Sequence, residues 1–185
     1  RPPRSTLFPY TTLFRSCRPA RACPLVASLC HDLAWDLLDE GLLSDAEALV
    51  REELVAVRFL ATYDPETFRP NVADACENLA GILWEGGHPE EAEPLLREAL
   101  ECYRTLAASD PDEDGLPALI PEAGPPMGVL ATILAEEGRA KEAEELFREG
   151  LSMYAILAQA HPEREDFRLG EEAFRESLAQ LSAGV

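Results

Sequence analysis

Lysine is almost absent from this chain, where Lys141 stands alone beside fifteen arginines. The arginines are scattered and build no basic patch, and 35 acidic against 16 basic residues give a formal net charge of −19. Such a charge repels nucleic acid and anionic lipid, which excludes both as partners and suits a basic one; it also serves solubility. Histidine is scarce, and His31, His88 and His161 share no His-x-x-x-His or Glu-plus-His spacing, so no metal site is expected. The cysteines, Cys17, Cys23, Cys30, Cys76 and Cys102, contain no Cys-x-x-Cys. They predict thiols in a reducing, cytoplasmic setting rather than a disulfide framework or a zinc site. No apolar run approaches the roughly 20 residues needed to span a membrane. There is no Gly-x-Ser-x-Gly, phosphate loop or paired-glycine dinucleotide turn, and the carboxylates fall on helical faces as Glu–Arg pairs such as Arg97 with Glu101. The expectation is therefore no enzyme, no catalytic residue and no cofactor.

What the chain does have is an internal repeat. The stretch from Pro70 to Pro111 occurs roughly three times. Set back by 46 residues, Leu79, Ala80, Leu83, Gly87, Ala92, Glu93 and Leu96 fall on Leu33, Ala34, Leu37, Gly41, Ala46, Glu47 and Val50. Set forward by 51, they fall on Leu130, Ala131, Leu134, Gly138, Ala143, Glu144 and Phe147. Within one copy Val72, Cys76, Leu79, Ala80 and Leu83 recur at three- and four-residue steps, the stripe of an amphipathic helix. A second stripe, Ala92, Leu95, Leu96, Ala99, Leu100, Tyr103 and Leu106, follows the glycine. Each copy thus reads as helix, turn, helix, with Gly41, Gly87 and Gly138 reversing the chain. The aligned alanines are small enough to let paired helices approach closely.

Along the chain, the first helix is expected from Pro24 to Glu40, with Pro24 in its first turn. Ser44-Asp-Ala-Glu47 predicts a capping box for the second, which should run to about Tyr63. A short linker, Glu66 to Arg69, precedes the second copy from Pro70, and a proline-rich linker from Pro111 to Pro126 precedes a first helix beginning near Pro126. A last helix, near Asp166 to Leu181, presents Phe167, Gly170, Phe174, Leu178 and Leu181 on one face and Glu and Arg on the other, as a terminal cap should. The organisation expected is a tail at 1–22, repeats at about 24–65, 70–111 and 121–162, and a capping helix at 166–182. Residues Ser5 to Ser16, STLFPYTTLFRS, resemble the translation of a sequencing adapter, so the tail is read as non-native or disordered, and the natural N-terminus as missing.

The pattern carried by Leu79-Ala80, Leu83, Gly87, Ala92, Leu96 and Ala99 resembles the tetratricopeptide repeat family. The copies are longer than the family's usual repeat, as in variants resembling kinesin light chain repeats, and LAASDP with FRPNVADACENLA looks like arrays attached to bacterial signalling ATPases. The resemblance implies an all-α fold, an α-solenoid of antiparallel helix pairs wound into a right-handed superhelix, with three repeats and a C-terminal capping helix. It also implies a concave groove lined by the first helices. Carried over column by column, that groove holds His31, Trp35, Leu38 and Asp39, then Asp74, Glu77, Gly81, Trp84 and Glu85, then Thr132, Ala135 and Glu136. Trp35 and Trp84 either face the groove or pack between adjacent repeats.

Some members of the family clamp a C-terminal carboxylate with Lys, Arg and Asn in these columns. Here His31, Asp32, Trp35, Glu77 and Gly81 stand there, with only Asn78 matching, so a carboxylate would be repelled. Asp110-Pro-Asp112-Glu-Asp114-Gly115 opens like a calcium loop, but its twelfth position is Pro121 and Glu122 comes one too late, which favours an acidic turn. The functional expectation is a non-catalytic scaffold for protein–protein interaction that takes a peptide or partner domain, basic in character, in an acidic groove bearing tryptophan. Self-association through the exposed face of the first repeat is the further partner expectation. The alternative is a sensor or oligomerisation arm of a larger bacterial signalling protein.

Overall fold

The computed structural model describes residues 19–109 and 121–184, with side chains from residue 24 onward. The adapter-like tail and the acidic turn at Asp110–Gly115 lie outside the described residues. Among those described there are seven α-helices, one short 3-10 turn and no strand. In chain order the helices are α1 (Pro19–Asp39), α2 (Leu43–Ala61), α3 (Pro65–Glu85), α4 (Pro89–Ser109), α5 (Gly124–Glu136), α6 (Ala140–Ala160) and α7 (Glu165–Ser182), the 3-10 turn being Pro121–Ala123. This is an all-α solenoid of helix pairs. The chain divides into two compact units, residues 1–68 and 69–185.

In the first unit α1 packs on α2. Ala34 and Ala46, 2% and 0% exposed, sit where the helices cross, and any larger side chain there would hold them apart. In the second unit Tyr103 of α4 donates its hydroxyl to Asp74 of α3 at 3.1 Å. From there packing follows sequence order, α4 on α5, α5 on α6, α6 on α7. The crossing alanines Ala80, Ala92, Ala131 and Ala143 are fully buried, and Leu79, Leu83, Leu96, Leu130, Ile133 and Leu134 fill the seams.

The three turns are copies of one another. Gly41, Gly87 and Gly138 have φ of 73°, 79° and 79°, a region costly to any residue with a Cβ. Their amides donate to the carbonyls of Leu38, Trp84 and Ala135, and the next amides, of Leu42, His88 and Arg139, reach back to Leu37, Leu83 and Leu134. This paired closure satisfies carbonyls that a helix end leaves without donors. Leu42, His88 and Arg139 then start the following helix, each carbonyl accepting from the amides three and four residues on. The Ser44 capping box does not form. The helix begins at Leu43 with no side-chain cap, because the turn has already placed Leu42 as its first acceptor.

Two helices start five residues earlier than their sequence suggested, at Pro19 and Pro65 rather than Pro24 and Pro70. At Asp64 the reason is visible. Its side-chain Oδ1 accepts from the Thr67 amide at 3.2 Å and its carbonyl from Phe68, so Asp64 caps the helix and Pro65 takes the first position, where proline suits. The Glu66–Arg69 linker is therefore helical, with Pro70 inside it.

The last helix closes the second unit with aromatics. Phe174 meets Phe147 edge-on at 6.2 Å and Tyr154 at 5.7 Å, while Phe167 lies 6.5 Å from Tyr154 and under the Arg164 guanidinium at 4.1 Å. Phe167 and Phe174 are buried, Leu178 and Leu181 half-buried, and Arg168, Glu172, Arg175 and Glu176 face water.

Candidate interaction face on the first helices

Three registers of the repeat place the expected groove residues. Trp35, Gly81 and Thr132 share one column, Leu38, Trp84 and Ala135 the next, and Asp39, Glu85 and Glu136 the third. The last three are exposed, in the final turns of α1, α3 and α5. His31, Trp35, Leu38 and Asp39 belong to the first unit and the others to the second.

In the first unit the side chains form a hydrogen-bonded chain. The Trp35 indole N–H donates to His31 Nε2 at 3.1 Å, which leaves Nδ1 to carry the ring proton and donate to Glu53 Oε1 at 3.0 Å. Glu53, on α2, is 6% exposed. Sequence reasoning missed it, although a signal was present: its column otherwise holds the small residues Ala99 and Gly150, and an acid there needs a reason. Trp35 itself remains 49% exposed, its ring edge-on to His31. Nearby Cys30 is half-buried rather than a core residue like Cys76, and burial, then the charges of Glu52 and Glu53, push its thiol up to about 11. It is an inert thiol at neutral pH.

In the second unit Asp74 and Glu77 of α3 converge on Tyr103, whose hydroxyl lies 3.1 Å from Asp74 and 3.5 Å from Glu77. Burial and then the Asp74 charge push the Glu77 carboxyl up to about 7, against the pull of the Tyr103 hydroxyl. The Tyr103 phenol is driven well above its usual range by burial first and then by Asp74 and Glu77, with Glu122 adding to them. Tyr154, which occupies the Tyr103 column one copy on, donates to the Pro121 carbonyl at 3.1 Å. Its phenol too is raised, by burial and then by Asp166, Glu122 and Glu77. Carboxylates from α3 and the 3-10 turn thus set up one negative region around two buried phenols.

Helical spacing puts Asp74, Glu77, Gly81, Trp84 and Glu85 on one side of α3. A Cβ added at Gly81 would meet nothing within 4 Å, so there is open space beside the half-buried Trp84. On α5 the Thr132 hydroxyl is turned into its own helix, donating to the Gly128 carbonyl at 2.9 Å, and Ala135 is half-buried. Among the described residues no group of three or more His, Cys, Asp or Glu is placed to hold a metal ion, and no helix is long and apolar enough to cross a membrane.

On the opposite helices, Arg97 pairs with Glu93 at 2.8 Å and with Glu142 at 3.3 Å, not with Glu101 as its sequence suggested. The acid four residues toward the N-terminus is the better-oriented partner. Arg139 binds Glu93 at 2.8 Å and Glu142 at 2.7 Å, tying α4 to α6. Burial alone would raise the Glu93 carboxyl, but Arg97 and Arg139 outweigh it and hold it below its usual range.

Helix pairs that each reverse through a glycine and stack on the next define a repeat solenoid. The tetratricopeptide repeat model matches residues 72–112 and 127–163, so the α3/α4 and α5/α6 pairs are two repeats of that kind. A search of the curated proteins found no match. Repeats of this family generally mediate protein–protein interaction and are typically non-catalytic.

Proposed function

We propose that this chain is a non-catalytic scaffold, acting in the cytoplasm, whose first helices offer an acidic, tryptophan-bearing surface to a basic peptide or partner domain. The α1/α2 pair is a third, divergent copy in this reading, supported by its identical glycine turn and its aligned Ala34 and Ala46. The observation that carries the proposal is the convergence of Asp74 and Glu77 on Tyr103, on the side of α3 that further along carries the open Gly81 position and Trp84. A basic peptide laid along α3 would meet carboxylates at one end of this side and an aromatic face toward the other, groups that hold cations at protein interfaces. It would also relieve the repulsion between Asp74 and Glu77, so binding draws the Glu77 proton off.

The test is a titration of arginine- and lysine-rich peptides, and of their glutamate-rich counterparts, against tryptophan fluorescence at low and high salt. Basic peptides are expected to bind, to weaken with salt, and to weaken further with Trp84→Ala. Equal binding of both peptide classes would defeat the reading.

A further inference from the structure

The outward side of α1 is apolar and open where the same side of α5 is closed. Ala27 and Ala34 of α1 are 7% and 2% exposed, so the side facing α2 is sealed. On the opposite side Leu25, Leu29 and Leu33 are 65%, 50% and 47% exposed. The residues of α5 in the Leu29 and Leu33 columns, Pro126 and Leu130, are fully buried in the unit where α5 packs on α4. The columns that form a helix–helix seam inside the second unit are thus open on α1. One column differs in kind: Ile133 of α5 is 0% exposed, and its counterpart on α1 is the exposed Asp36. Asp32 lies on the same side one turn earlier, and Asp39 and Glu40 follow at the helix end, all exposed.

We infer that the Leu25–Leu29–Leu33 side of α1 docks an amphipathic helix of a partner protein, one whose apolar stripe is flanked by lysine or arginine. Two observations select that occupant. The apolar columns are those that a neighbouring helix covers in the second unit, which sets the shape as a helix laid along α1. The acids at 32 and 36 replace the sealed isoleucine column, and they favour a basic flank over an acidic one. A second copy of this chain fits poorly. Each copy carries −19, and pairing α1 with itself would bring Asp32 and Asp36 toward their own duplicates. Its residues are not those of the α3 surface around Trp84, so the two proposals can fail independently.

The experiment uses the full chain and a labelled helical peptide with leucines at four-residue spacing flanked by lysines, read by fluorescence anisotropy, with a glutamate-flanked twin as control. The lysine peptide should bind and the twin should not. Leu29→Ser with Leu33→Ser should weaken binding about tenfold or more, since both leucines lose their apolar contact. Both positions are half-exposed, so the helical circular dichroism should be unchanged. Asp32→Asn with Asp36→Asn should remove most of the salt dependence. Binding that Trp84→Ala weakens and the serine pair does not would place the peptide on α3 and overturn this inference while sustaining the proposed function. No binding, or equal binding of the twin, would overturn it as well. A concentration-dependent dimer in sedimentation, abolished by the serine pair, would overturn it in favour of self-association.

Discussion

Phe174 reaches its place because Gly128 and Gly150 stand where the preceding pair has Glu77 and Ala99. A Cβ on Gly150 would run into the Phe174 ring, whereas one on Gly128 would lie in ordinary contact, 3.7 Å from its edge. Gly150→Ala should therefore cost about 1–3 kcal/mol by overpacking, read as a lower urea midpoint. Gly128→Ala should be neutral or stabilise by up to about 1 kcal/mol through helix propensity. Glu77 gives a pH signature. Between 4.5 and about 7 the folded chain keeps a proton there that the unfolded chain has released. Its contribution is complete below 4.5 and lost as pH rises through 7. Glu77→Gln should thus match the parent near about pH 4, gain in relative melting temperature up to neutrality, and stay level above it. The same substitution should flatten the pH dependence of basic-peptide binding, which in the parent should tighten as pH rises through 7.

At the scale of the element, the glycine turns govern how each pair closes. A side chain at Gly87 would touch nothing within 4 Å, so the cost of Gly87→Ala lies in the backbone alone, about 1 kcal/mol, and Gly87→Asn should cost less. Thermal unfolding of the two variants separates them. Arg139→Ala should lower the unfolding midpoint at low salt and less so at high salt, since it removes the tie between α4 and α6. The turns were legible in the sequence because a glycine between two helical stripes has one economical use. Helix starts were harder to read. Asp64-Pro65 serves as a cap and first residue, yet aspartate before proline reads as readily as a stop, and only the Thr67 amide on the Asp64 side chain decides. Ser44 looked like a cap and was pre-empted by Leu42, whose place is set by the preceding turn rather than by its side chain.

For the whole molecule, the repeat made the helix pairs visible in the sequence, since matching apolar stripes are buried only against other apolar stripes. The side-chain groups at the candidate face were less visible. Columns brought His31 and Glu77 forward, but their partners Glu53 and Tyr103 come from the other helix of each pair, 22 and 26 residues away, and no local pattern announces such a meeting. The same columns show that one structural position is used in three ways: an imidazole bonded to a buried acid, a carboxyl over an alanine, and a bare pair of glycines. Only the third leaves a vacancy deep enough for Phe174. Module order is thereby fixed at this end. Exchanging the second and third copies by recombination would set Glu77 and Ala99 against the terminal ring, so lengthening such an array requires insertion upstream of the glycine pair, never between it and its plug.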